Sequence, residues 1–437
     1  MKVLLMIPPY IPSYFNAGHH LHLFTVAAYL RANTDCEVDA IDGAALNKTW
    51  KDVCDILIKQ YDVVALLNDY DGVDTFERFI YYTRTLSPQT QLVTFGRLSK
   101  EIPRFFLKLG FDAVHFTGDY EAGLFSYIQY LSLQDDDKLY GFFTQDNPFH
   151  RQGVKGHYLP KEEWVLPDVT EIPYQAYTNM YRDDFNKFCG IPDRQELVVP
   201  VSRGCPIGCF FCDVPKMQGD KERRLSVDRT IDYIKQSFNQ LSFDYVSFYA
   251  PTFTLNKQWV FEFCDKISQE PKTYPWKCAT ALCCLSQKLI EAMARANCVR
   301  ISLGIETLSS QGSKDLPKCK QDAQEEFDFI VETTKRYGIE LNAFVMLGLP
   351  NDTPEDVEHT INRCLENNVR VRPTIYTPYH LLHDNMSTFE VSQFNRQLFV
   401  PDTIDKTLES KYYEYFYNNQ SDKFTTIMNK IPKHEFG

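Results

Sequence analysis

Nothing in this sequence approaches the roughly 20 consecutive apolar residues of a membrane-spanning helix. The opening MKVLLMIPPY has only a short apolar run, with no small-residue cleavage site behind it, so no secretory signal is expected and the cytoplasm is the expected compartment. Basic residues are in deficit: 46 Lys and Arg stand against 58 Asp and Glu, a formal net charge of -12, and no Lys/Arg block stands out. That balance argues against a sequence-independent grip on nucleic acid phosphates. Internal repeats and low-complexity tracts are absent. Without an export signal, the 13 cysteines need no disulfide framework. Ten of them, at 36, 54, 189, 264, 278, 283, 284, 298, 319 and 364, are scattered and read mostly as small buried hydrophobes, the adjacent Cys283–Cys284 pair included.

The other three cysteines crowd into RGCPIGCFFCDVP (203–215), as Cys205, Cys209 and Cys212. A structural zinc site wants four protein ligands, usually as two close pairs. Here there is one triplet, no second CxxC, and no His within thirty residues on either side. Gly204 and Gly208 mark the segment as a loop rather than a stretch of core. An iron–sulfur cluster fits better, because thiolates are its normal ligands. Three cysteines would hold three irons of a cubane and leave the fourth open.

With 437 residues, 44% of them hydrophobic, the chain can bury two or three cores. Apolar runs at 2–9, 37–42, 62–68, 91–96 and 112–118 read as strands with helical stretches between them, which predicts a doubly wound parallel sheet. From about 136 to 195 the pattern weakens among prolines and aromatics and reads as a linker packed on its neighbours. Alternation returns with strands at 197–204, 244–251, 277–282, 299–306, 339–348 and 372–379, and with helices near 227–240, 257–268, 286–296, 321–337 and 354–367. Six such units suit an incomplete barrel better than a closed eight-stranded one. The expected organisation is α/β throughout: a Rossmann-like doubly wound sheet over 1–135, the linker over 136–195, a partial (βα)6 barrel over 196–385, and a helical extension over 386–437.

Cys205-x3-Cys209-x2-Cys212, with Phe211 before the last cysteine and a predicted first barrel strand ahead of it, resembles the signature of radical S-adenosylmethionine (SAM) enzymes. The resemblance implies a 4Fe-4S cluster on the three cysteines. Its open iron would bind the amino and carboxylate groups of SAM, and one electron would release a 5′-deoxyadenosyl radical. It runs on for about 190 residues through GIE (304–306) and FVMLGLPNDTPEDVEHTI (344–361). By that likeness Glu306 is a polar contact to the cofactor, and Phe211, Ala250 in APTFT, Ser302 and Asn342 are further cofactor contacts. Gly348 and Pro350 read as near the adenine or as turn chemistry alone. One departure concerns charge. Where many relatives carry Thr-Arg on the third strand this chain has Thr280-Ala281, which leaves Arg300 or Arg203 to face the cofactor carboxylate. No further cysteine cluster follows toward the C-terminus.

The opening residues, TFGR (94–97) and TGDYE (117–121) resemble cobalamin-binding domains fused to such enzymes. That likeness places Gly96 and Gly118 at turns by the nucleotide tail, on the sheet edge where open α/β sheets bind ligands. The family's cobalt-ligating histidine motif is missing, because His19, His20 and His22 come too early. Asn68, Asp69 or Tyr70, after the third strand, would then face the cobalt.

The implied function is cobalamin-dependent methylation of an unactivated carbon in a small, natural-product-type molecule, with an external electron donor such as flavodoxin or ferredoxin. The alternative keeps the radical without cobalamin and dehydrates, rearranges or cyclises a substrate such as a sugar diol. A transfer-RNA modifying enzyme and a non-catalytic iron–sulfur protein remain as further readings. Tyr and Phe abundance near 370–420 suggests an aromatic-lined substrate pocket.

Overall fold

The computed structural model describes residues 1–11, 20–133, 139–145, 156–182, 190–191, 193–397 and 430–431, the last three of 156–182 as backbone only. Two compact units emerge. The first comprises Met1–Tyr177, Asp213–Asp220 and Pro378–Arg396; the second comprises Thr178–Cys212, Lys221–Thr377 and Gln397–Gly437.

In the first unit, six strands form one sheet: β1 (Lys2–Ile7), β2 (Glu37–Asp42), β3 (Val63–Asn68), β4 (Gln91–Gly96), β5 (Ala113–His115) and β6 (Phe142–Thr144). Their order is β2-β1-β3-β4-β5-β6. The first five run parallel, and β6 pairs antiparallel with β5. Val3 to Ile7 are all buried, as expected of a strand covered by helices on both faces. Strand order reverses at β1, so the loops after β1 and β3 open at the switch point where ligands of such sheets bind. The register sets Asn68 beside Gly96 at that carboxyl edge. Strand β6 lies in the stretch read as linker; at three residues it is too short to show a period.

The second unit carries β7 (Glu196–Pro200), β8 (Ser202–Arg203), β9 (Arg223–Arg224), β10 (Tyr245–Tyr249), β11 (Trp276–Ala281), β12 (Cys298–Glu306), β13 (Glu340–Leu347) and β14 (Arg370–Ile375). Six of these form a sheet in the order β14-β13-β12-β11-β10-β7, every neighbouring pair parallel. Helices Val227–Gln240, Lys257–Ile267, Gln287–Arg295, Gln324–Tyr337 and Pro354–Glu366 connect them. Strands β8 and β9 form a separate antiparallel hairpin. Thr353 and Asp356 close a reciprocal cap on the helix Pro354–Glu366, fixing where the chain turns after β13. At the amino ends of the strands, Ile431 is buried with Ile191, Tyr245 and Val299, and its carbonyl accepts from Arg194 Nε at 2.6 Å.

The last predicted strand, 372–379, is found earlier, at Arg370–Ile375, and Pro378 opens the next part of the first unit. The expected C-terminal extension contributes a helix, Thr388–Gln393; residues 398–429 and 432–437 lie outside those described.

Candidate functional site

The cysteine loop leaves the carboxyl end of β7 through β8. Gly204 and Gly208 bend it with φ of +82° and +76°. A side chain at 208 would meet little but the Pro206 carbonyl, so that position needs glycine for its backbone alone. Cys205 is buried, Cys209 and Cys212 are half-buried, and none of the three is in a disulfide. Cys205 Sγ lies 3.8 Å from Thr252 Oγ1, and the Cys212 amide donates to the Cys209 carbonyl at 3.0 Å. Burial pushes the Cys209 thiol up to about 12; Lys320 opposes this, while Glu306, Cys212 and Cys205 reinforce it.

Among the described residues, no three His, Cys, Asp or Glu side chains converge on one metal ion. A lone tetrahedral ion with sulfur at ~2.3 Å would need thiolates only about 3.8 Å apart. A cubane spreads its thiolates over separate irons, so it takes a wider triplet. Three cysteines in one glycine-opened loop, none of them in a disulfide, supply the thiolate donors that a cluster takes.

Beside the loop lies a buried ion pair. Lys320 Nζ donates to both carboxylate oxygens of Glu306 at 2.9 Å and reaches the Gly304 carbonyl at 3.5 Å. Glu306 ends β12 in the left-handed region, at φ +56°. Ser302 and Asn342 face each other in register across β12 and β13, with Asn342 Nδ2 3.4 Å from Ser302 Oγ. Asn342 Oδ1 is buried without a hydrogen-bond partner, a vacancy a ligand donor could fill. Ala250 follows β10 half-buried, and Phe211 packs edge-on against Phe210 at 5.6 Å. Phe210 is itself 5.9 Å from Tyr376.

Arg300 is not a candidate for the cofactor carboxylate. It is fully buried near the start of β12, where Nε bonds Glu340 at 2.9 Å, at the opposite end of the strands from the cysteine loop. Arg203 does lie at the loop, buried in β8.

Three features went unread in the sequence. Lys320 is one. Asp352, in the turn after β13, is another; burial raises its carboxyl to about 7, against the opposing pull of Thr307. The third is a thiol group. Cys283 lies 4.0 Å from Cys284 and also contacts Cys319. Of the scattered cysteines, 264, 278, 284, 298 and 364 are buried as expected, whereas Cys36, Cys54 and Cys283 are half-buried, Cys319 is exposed, and Cys189 lies outside the described residues.

In the first unit, Asn68 is wholly committed to the protein. Its Nδ2 donates to Thr94 Oγ1 at 2.8 Å, and its Oδ1 accepts from the Ser99 amide at 3.0 Å. Gly96, at φ +148°, is required because a Cβ there would sit 2.1 Å from the Asn68 carbonyl oxygen. Gly118, at φ +91°, approaches the His157 backbone in the same way, and its carbonyl accepts from Lys100 at 2.7 Å. Both glycines thus answer to the chain's own packing. Tyr70 differs: it is fully buried, and its hydroxyl has no hydrogen-bond partner. Its ring lies 5.4 Å from the Arg97 guanidinium, which bonds Asp213 at 2.6 Å and the Tyr379 hydroxyl. Asp69 accepts from the Tyr70 amide at 2.7 Å, and burial raises its carboxyl.

His20 faces the Tyr10 hydroxyl at 3.3 Å, and His22 packs edge-on against Tyr120. His19 lies outside the described residues. His115, buried between the rings of Tyr120 and Phe142, is held neutral by burial.

Residues 199–364 match the model of the Radical SAM superfamily. An uncharacterized methyltransferase of Pyrococcus horikoshii is 27% identical over 407 residues, covering 87% of this chain and 81% of its own. The methyltransferase TsrM of Kitasatospora setae, solved with cobalamin and a [4Fe-4S] cluster bound, has the same fold at 14% identity and a TM-score of 0.66, covering 86% of this chain and 72% of its own. OxsB, a cobalamin-dependent SAM radical enzyme solved with aqua-cobalamin and SAM bound, shares the fold at 15% identity and a TM-score of 0.67, covering 95% of this chain and 56% of its own. No helix among the described residues is long and apolar enough to cross a membrane. With three cysteines opening from the first strand of a six-stranded parallel sheet, residues 199–364 are the part of the chain that matches the Radical SAM superfamily.

Proposed function

We propose that this chain is a cobalamin-dependent radical SAM methyltransferase acting on an unactivated carbon of a small molecule. The observation that carries the reading is the cysteine loop at the carboxyl edge of one parallel sheet, in a chain whose other sheet has the doubly wound order β2-β1-β3-β4-β5. The curated relative that spans most of both chains is a methyltransferase by name.

When bound, a 4Fe-4S cluster supplies the electron that splits SAM, and cobalamin carries the methyl group. Cys205, Cys209 and Cys212 would hold the cluster through thiolates, leaving one metal site open. Phe211 packs edge-on against Phe210, which is itself 45% exposed, so the pair adds apolar surface at the loop. Ser302 and Asn342 would offer hydrogen bonds from β12 and β13, where Asn342 Oδ1 has capacity to spare. Ala250 would contribute through its backbone at the end of β10. In the first unit Tyr70 is the residue after β3 with a free polar atom, so it, rather than Asn68, would face the cobalt. Gly96 and Gly118 shape the same edge by keeping its turns tight. An external donor such as flavodoxin or ferredoxin would reduce the cluster.

Anaerobic reconstitution with and without cobalamin tests this reading. S-adenosylhomocysteine is expected beside 5′-deoxyadenosine only when cobalamin is present. 5′-Deoxyadenosine alone, with cobalamin bound, would favour a radical rearrangement or dehydration instead.

A further inference from the structure

Beyond the carboxyl ends of β11 and β12, three cysteines stand in a row that the proposed methyl transfer does not use. Cys283 and Cys284 lie in the one-turn helix Leu282–Cys284, which follows β11. Cys319 lies in the one-turn helix Lys318–Lys320, in the connection after β12. The two short helices pack on each other. Cys283 Sγ is 4.0 Å from Cys284 Sγ, and the side chains of Cys283 and Cys319 are in hydrogen-bond contact. None of the three is in a disulfide.

Access divides them. Cys319 is exposed, Cys283 half-buried and Cys284 buried. A reagent from solvent therefore meets Cys319 first. An exposed thiol with a second thiol held against it is the arrangement of an attacking and a resolving cysteine. Cys284 is a poor disulfide partner for Cys283, because adjacent Cα atoms stand only about 3.8 Å apart, short of the roughly 4.4–6.8 Å that a disulfide spans. It has another part to play. The hydrogen bond with Cys283 holds the Cys284 thiol below its usual value, against burial and with help from the Lys257 charge. Cys284 can thus take the proton of Cys283 as that thiol attacks. It also lies within electrostatic reach of Cys205, so a bond formed here would close beside the cysteine loop.

We propose that Cys319 and Cys283 form a reversible thiol–disulfide site, oxidised by a low-molecular-weight disulfide, RSSR, and reduced again by a dithiol. Cys319 attacks RSSR; its S–S bond breaks, Cys319–SR forms, and RSH leaves with the Cys319 proton. Cys283 then attacks the Cys319 sulfur, and its proton passes by way of Cys284 to the second departing RSH. The two cysteines lose two electrons and two protons, and RSSR gains both. The bond ties the connection after β11 to the connection after β12.

The test needs neither SAM nor cobalamin. The full chain, anaerobically reconstituted with its cluster, is incubated with excess oxidised glutathione at about pH 8.5, near the usual thiol pKa. Remaining thiols are blocked with N-ethylmaleimide, and peptides are mapped by mass spectrometry with and without dithiothreitol. Most chains should carry a Cys283–Cys319 link and retain no glutathione there, and dithiothreitol should remove the link. Cys283→Ser should trap glutathione on Cys319. Cys319→Ser should show neither the link nor an adduct at Cys283. Cys284→Ser should still form the link. Glutathione retained on Cys319 of the unaltered protein, a Cys283–Cys284 link in its place, or alkylation of all three thiols overturns the proposal.

Discussion

Asp352 is a buried carboxyl whose environment favours the neutral form. A Cβ at Gly312 would come within 2.4 Å of its Oδ1, so the loop before the helix Gln324–Tyr337 closes tightly over it. Burial pushes it up to about 7, above the usual 3.8 of an exposed aspartate. The folded state therefore binds more protons than the unfolded chain between those values, and stability falls as pH rises through that window, levelling off above about 7. Denaturation midpoints measured from pH 5 to 8 should fall for the unaltered protein and fall less for Asp352→Asn; parallel curves would refute the assignment.

Gly96→Ala is expected to cost at least about 2 kcal/mol, since the new Cβ would meet the Asn68 backbone at a φ that L-residues rarely adopt. Thermal melting of the variant checks it. At this scale the three cysteines were legible because their spacing alone is improbable in a core. Glu306 was singled out by family likeness alone. Lys320 was not, because it sits in a connection without periodicity and its partner is distant in sequence. Arg300 misled because its strand could be read, whereas the end of the strand that carries the chemistry had to be weighed separately.

Most strands and helices follow from period and punctuation. The helix predicted at 227–240 is found there unchanged, with Ser226 accepting from the Arg229 amide as its cap. Strand β6 was invisible because a three-residue edge strand needs only a free neighbour, not a pattern. Also hidden was the packing of Ile431, which no sequence period announces. Ile431→Ala should destabilise the second unit by about 2–4 kcal/mol, through lost burial and the cavity left beside Tyr245. Hydrogen exchange localised to β10 and β12 would report it, and an unchanged exchange pattern would show the contact to be idle.

On the scale of the molecule, two parallel sheets could be inferred from alternation alone, and the structure has both. The segments that join each unit could not. Residues 213–220 and 378–396 belong with the first unit although they interrupt the second along the chain. Sequence proximity hides that exchange, because Asp213 directly follows Cys212 and pairs instead with Arg97. The first unit is thus assembled from three separated stretches, and Arg97 meets Asp213 only once 213–220 has joined 1–177.

The barrel sheet ends with β14 at Ile375, yet its floor is finished by Ile431. Chains emerge from the ribosome residue by residue. A nascent molecule with every strand already outside the tunnel would still lack the apolar stopper beneath Tyr245. Its second core can close only once residue 431 has emerged as well.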